Sequence, residues 1–186
     1  MQKKTSSFKI RQAVQKINNG DLIAYPTEAV YGLGCNPLDE EAVLKLLTLK
    51  KRSVDKGLIL IASSIEQLDP YLQLTDDIVS RVQASWPGPV TWIIPAQPWV
   101  PQWLTGKHSS LAVRVTDHPI ASSLCEENEG PLVSTSANTS ARPPATKSWQ
   151  VTKNLNHTGL FIVPGEVGKL KQATPIYDVL SHHKLR

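Results

Sequence analysis

The sequence predicts an α/β protein: a single domain over residues 1–186, with a twisted sheet of mixed parallel and antiparallel strands flanked by helices. Three observations lead there. Short apolar runs at Leu22–Tyr25, Leu58–Ala62 and Val90–Ile94 read as buried strands. Segments with apolar residues at helical spacing alternate with them. Some strand runs follow one another directly, which points to a sheet of mixed direction, and no repeat or linker divides the chain.

Each element has a local reason. Ser6 or Ser7 caps a helix with Ile10, Ala13, Val14 and Ile17 on one face, and Gly20 closes it. Leu22–Tyr25 is a strand stopped by Pro26, and PTEAVYGLGC follows as a polar and then glycine-rich stretch, with Thr27 and Glu28 leaving the strand end. Asp39 caps a helix over 39–49, and LILIA at 58–62 is apolar enough to be buried on both faces. Ser64 with Gln67 forms a capping box for a short helix broken at Pro70, and Thr75 caps another that carries Ile78, Val79 and Val82. Strands are expected at Val90–Ile94, Leu111–Val115 and Pro131–Ser134, and Asp117 is expected to cap a helix that has Pro119 in its first turn. Residues 141–158 read as loop with one short helix. Leu160–Val163 and Ile176–Leu180 close the sheet on either side of a Gly165–Gly168 turn.

Composition excludes several classes. At 40% hydrophobic content the chain buries a substantial core, yet it holds no apolar run of eighteen residues and no secretory signal. Cys35 and Cys125 stand 90 positions apart without a CxxC pattern, which predicts free thiols in a cytoplasmic protein. The net charge of +4 sits entirely in residues 1–56, which carry ten Lys and Arg against six Asp and Glu. Such a field attracts phosphates, of a nucleotide or of RNA alike.

The candidate chemistry lies in three stretches. LKKRSVDKGLIL at 49–60 sets Lys50, Lys51, Arg52 and Lys56 within seven positions. The dipole of the preceding helix suits one or two of those charges, and a bound anion suits them all. Arg114 stands inside the apolar strand LAVRV and needs a carboxylate, either from the protein or from a ligand. Six of the seven residues Ser134-Thr135-Ser136-Ala137-Asn138-Thr139-Ser140 carry a hydroxyl or amide directly after a core strand, as a binding loop would. Trp86, Trp92, Trp99 and Trp103 cluster among prolines and read as packing under loops. No P-loop, dinucleotide fingerprint, HExxH or nucleophile elbow is present. The residues alone therefore support a nucleotide or polyanion site.

The motifs AYPTEAVYGLGC, LKKRSVDKGLILIA, WPGPVTW, SLAVRVTDHP and PLVSTSAN resemble, in that order, the YrdC-like threonylcarbamoyl-AMP synthases of the single-domain TsaC type. Lys50-x-Arg52 and Ser136-x-Asn138 look like the family's KxR and SxN signature. The resemblance implies a YrdC-like fold and the synthesis of L-threonylcarbamoyladenylate from L-threonine, bicarbonate and ATP. Pyrophosphate is released and Mg2+ accompanies the ATP, with no protein ligand assigned to the metal. The product would serve threonylcarbamoyladenosine modification of tRNA beside the anticodon, completed by downstream transfer proteins. By motif, Lys50, Arg52 and Lys56 would hold phosphates, with Lys50 and Arg52 stabilising charge at the α-phosphorus. Ser110, Ser136 and Asn138 would complete the nucleotide side, and Thr27, Arg114 and Ser134 would hold threonine. Arg186 would match a late nucleotide-contacting arginine. The sequence departs from some members at Ile61, where they carry His, and at Pro144, where they carry Ser. A non-catalytic protein that binds double-stranded RNA or tRNA, or one for ribosome maturation, is the alternative.

Overall fold

A computed structural model describes residues 5–139, 142–155 and 160–186. Six α-helices are formed among them: α1 (Ser7–Asn18), α2 (Glu40–Lys50), α3 (Asp76–Gln83), α4 (Gln102–Thr105), α5 (Pro119–Glu127) and α6 (Ser148–Leu155). The strands are β1 (Ile23–Pro26), β2 (Tyr31–Gly34), β3 (Ile59–Ala62), β4 (Thr91–Pro95), β5 (Ser110–Val115), β6 (Leu132–Ser136), β7 (Phe161–Ile162) and β8 (Ile176–Asp178). They join in one sheet of order β7-β1-β2-β6-β3-β5-β4-β8. The β3–β5, β4–β8 and β1–β7 pairs are parallel and the other four are antiparallel, so the mixed sheet expected from the sequence is formed.

Strand alternation sorts the core onto the two faces of the sheet. Ala24, Leu33, Leu60, Val113 and Val133 join α2, α3 and α6 in one apolar cluster. Ile23, Tyr25, Ile61 and Leu132 join α1 and α5 in the other. The N-caps hold as expected at α1, α2 and α3: the side chains of Ser6, Asp39 and Thr75 accept the backbone N–H of Lys9, Ala42 and Ile78. Trp86, Trp92 and Trp103 pack as predicted and Trp99 is exposed against Tyr71, each indole N–H finding an acceptor: Trp86 at Val90 O, Trp92 at Ser85 Oγ, Trp99 at Pro70 O and Trp103 at Pro37 O.

Four local expectations are corrected. The glycine-rich stretch after Thr27 contains β2, which forms a hairpin with β1 and passes the chain on to β6. Two glycines obscure this strand in the sequence, and Gly34 is required by it. A Cβ on Gly34 would collide with the Val133 carbonyl and stand 2.8 Å from the Tyr25 ring. The Ser64–Gln67 box forms no α-helix. Gln67 Oε1 accepts the Ser63 N–H at 3.0 Å, and the chain passes through turns into a 3-10 helix at Asp69–Tyr71. Asp117 does not cap α5; His118 holds the N-cap position, its own N–H donating to Thr116 Oγ at 3.2 Å. The Gly165–Gly168 stretch is no tight turn but part of an extended strap, residues 164–175, laid across the β1–β2 hairpin. Gly168 N–H donates to Thr27 O at 2.9 Å and Leu170 N–H to Glu28 O at 3.2 Å. A Cβ on Gly168 would sit 2.5 Å from Glu28 O, so only glycine allows the strap to lie this close.

Gly34→Ala is expected to destabilise the fold by about 1–3 kcal/mol through backbone displacement at β2–β6. Urea unfolding checks it, and unchanged stability would contradict the close-approach reading.

Candidate active site

The strap, the β1–β2 hairpin, the end of β6 and the start of β3 enclose a cavity of about 690 Å3. That volume falls within the range of small-molecule sites. Thr27, Arg52, Arg114, Ser134 and Ser136 all face it, so five of the nine site residues expected from the sequence come together here from four separate stretches of chain. Gly32 and Thr174 line it too, together with Pro144 and Arg186. Ile61 lies elsewhere, buried with α1 and α5.

Arg114 is the most constrained of these side chains. It stands on β5 opposite Ile61 of β3, with its side chain only 5% exposed. Nη2 pairs with Glu28 Oε2 at 3.2 Å, and Nη1 donates to the hydroxyls of Thr91 at 3.1 Å and Thr174 at 3.0 Å. The carboxylate it required is therefore in the protein. Glu28, equally buried, takes a second bond from the Thr116 hydroxyl at 2.5 Å. Thr174 extends the network, because its carbonyl accepts Nε and Nη2 of Arg186 at 3.2 and 3.0 Å. Burial, reinforced by Arg114 and Arg52, pulls the Arg186 guanidinium below its ordinary pKa. Three guanidiniums around one cavity form a site for an anion.

Arg52 reaches the cavity from the end of α2. Lys50 is the last helical residue and Lys51 takes a left-handed conformation at φ 51°, so the chain turns sharply and the two side chains diverge. Arg52 Nη2 donates to Gly57 O at 3.0 Å, while its Nε is buried without a hydrogen-bond partner among the described residues.

Lys50 lies behind the cavity wall instead of lining it. The residue is 4% exposed, and its Nζ donates to the carbonyls of Ser136 and of Asn138, the latter at 2.7 Å. It ties the C-terminal end of α2 to the loop that follows β6. Asn138 continues the tie: Nδ2 donates to Thr139 O at 3.0 Å and Arg142 O at 2.5 Å, leaving Oδ1 buried and unpaired among the described residues. Burial, with help from Arg52, lowers the Lys50 pKa to about 8. Lys56 is exposed in a 3-10 turn, and Ser110 is half-buried at the start of β5; neither lines the cavity. Ser140 lies outside the described residues.

The donor set is cationic and hydroxylic, and the one buried carboxylate, Glu28, is engaged by Arg114 and Thr116. Among the described residues no three His, Cys, Asp or Glu side chains gather into a metal site. The cavity residues suit phosphate and carboxylate oxygens and do not themselves form a magnesium cage. No helix among the described residues is long and apolar enough to cross a membrane.

The fold and the cavity together define an α/β protein whose candidate site is built from buried or half-buried arginines and hydroxyls. The Sua5/YciO/YrdC family model, described as telomere recombination, matches residues 15–186. The chain belongs to the Sua5/YciO/YrdC family. It is 46% identical over 182 residues to a threonylcarbamoyl-AMP synthase of Methylococcus capsulatus, covering 97% of this chain and 98% of that one. A protein of the same name from Enterobacter sp. strain 638 is 49% identical over 180 residues, covering 95% and 94%. Among solved structures, P. abyssi Sua5 complexed with L-threonine superposes with a TM-score of 0.87 at 35% identity. The match covers 95% of this chain but 52% of that one, so this chain spans about half the Sua5 length. E. coli YciO matches with a TM-score of 0.82 at 25% identity, covering 93% of this chain and 84% of that one.

The depressed Lys50 pKa makes stability depend on pH. Because burial disfavours the folded ammonium, the unfolded chain binds the extra proton between about 8 and the ordinary 10.5. Folding stability, measured relative to Lys50→Met, is therefore expected to rise across that window. Parallel pH profiles for the two proteins would contradict this assignment.

Proposed function

We infer that this chain is an ATP-dependent threonylcarbamoyl-AMP synthase. The observation that carries the reading is a single cavity that gathers Arg52, Arg114, Arg186 and the β6 hydroxyls, in a chain nearly half identical over its full length to proteins of that name.

The chemistry follows from what such a site can do. The neutral amine of L-threonine adds to carbon dioxide and loses a proton to solvent to give a carbamate; from bicarbonate the same step releases water. A carbamate oxygen then attacks the α-phosphorus of ATP, the bond to the bridging oxygen breaks, and pyrophosphate leaves as the mixed anhydride forms. Phosphoryl chemistry of this kind is driven by positioning and charge neutralisation and needs no protein nucleophile. Arg52 supplies charge at the phosphates. Lys50 acts from behind, fixing the Ser136–Asn138 loop and adding its own field. Arg114 receives the amino-acid carboxylate beside Thr27 and Ser134. Magnesium enters with ATP on the phosphate oxygens, as part of the substrate. The adenylate is handed to transfer proteins that act on tRNA in the cytoplasm.

Pyrophosphate release from ATP, magnesium and bicarbonate, with and without L-threonine, tests the reading. Release should require threonine, fall at least about a hundredfold in Arg52→Ala, and in Arg114→Ala need more threonine with little change in the ATP requirement. Folded wild-type protein that releases no pyrophosphate, but binds double-stranded RNA with steep salt dependence, would favour the binding-protein alternative.

A further inference from the structure

Glu28 is buried, charged and close to the cavity, yet neither the family signature nor the reaction assigns it a task. Its residue is a crossing point. The carbonyl accepts Leu170 N–H of the strap at 3.2 Å, and Thr27 beside it accepts Gly168 N–H at 2.9 Å. The side chain turns the other way. Oε1 takes the Thr116 hydroxyl at 2.5 Å, and Oε2 forms an ion pair with Arg114 Nη2 at 3.2 Å while accepting no hydrogen bond among the described residues. Thr27 and Arg114 line the cavity, whereas Glu28 does not.

Resting on the synthase reading, we infer that Glu28 is a positioning residue for the amino-acid substrate. Its carboxylate fixes one edge of the Arg114 guanidinium so that the group meets a substrate carboxylate in a single orientation. The physical reason is the number of ways Arg114 is held. The Thr91 and Thr174 hydroxyls both bind the same nitrogen, Nη1. A planar fork gripped at one tip can still swing, and Glu28 at Nη2 supplies the second point. Neutral hydroxyls cannot offset a buried guanidinium charge, whereas a carboxylate can. Thr116 in turn holds Glu28, and it does so from the turn that starts α5. A supporting shell of this kind sets substrate geometry without touching substrate.

Glu28→Gln keeps the size and the backbone bond to the strap, removes the charge and exchanges one acceptor oxygen for an amide donor. Pyrophosphate release titrated separately with L-threonine and with ATP is the readout. The threonine KM should rise about tenfold or more, the scale of one lost buried charge contact, while the ATP KM changes little. A purely structural role would instead move both KM values together. Equal changes in the two, no change, or a lower threonine KM would each overturn the inference. Should Glu28→Gln fail to fold, Thr116→Val decides: a smaller rise in threonine KM alone supports the positioning role, and no rise refutes it. Wild-type protein without threonine-dependent release would refute the synthase reading itself, and the inference with it. That outcome is distinct from an active wild type with an indifferent variant.

Discussion

The cavity depends on a buried ion pair. Glu28 and Arg114 are far apart in sequence, on the β1–β2 hairpin and in the middle of β5, and they meet at 3.2 Å with side chains 5% exposed. A pair this deep has a large desolvation penalty and is weak evidence of net stability. What it provides is register between parts of the fold. Through Thr91 and Thr174 it reaches β4 and the strap, and through Thr116 it reaches the start of α5. Removing either partner would leave a charge buried against the neutral hydroxyls, at a penalty of about 3–5 kcal/mol. The hairpin, the central sheet and the strap thereby form one wall, and the cavity keeps its shape.

The second constraint comes from the end of α2. The turn there is made by Lys51 at φ 51°, which sends Lys50 inward to two carbonyls and Arg52 toward the cavity. One is a strut and the other a ligand-facing charge. This division explains how neighbouring cations coexist: the Lys50 ammonium is spread over carbonyl dipoles, while Arg52 faces the cavity and its buried Nε has no hydrogen-bond partner among the described residues.

Most of the sheet was legible because its strands are apolar and its helices carry caps, and period and cap are local signals. The strand over Tyr31–Gly34 was hidden because two of its four residues are glycines, chosen for what crosses behind them and not for strand propensity. The demand of Arg114 for a partner could be read from a charge inside LAVRV, but the partner could not, because nothing local links position 114 to position 28. The one available signal was that no Lys or Arg stands within ten residues of Glu28 in sequence. Lys50 resembled a phosphate ligand because motif position says nothing about burial. Arg186 was suggested only by resemblance, and its place on the cavity comes from Thr174 O, which holds it there. Lys56 and Ser110 were placed at the site by the resemblance and lie off the cavity lining, exposed in the one case and half-buried in the other.

The most direct test of the ion pair as organiser is a double-mutant cycle on folding stability, with urea unfolding of wild type, Glu28→Gln, Arg114→Met and the double variant. Partners in contact inside a shared network should couple by about 1–3 kcal/mol, the double variant being more stable than the sum of the single losses. Losses that add to within about 0.5 kcal/mol would mean the two residues act independently, and the cavity wall would need another explanation.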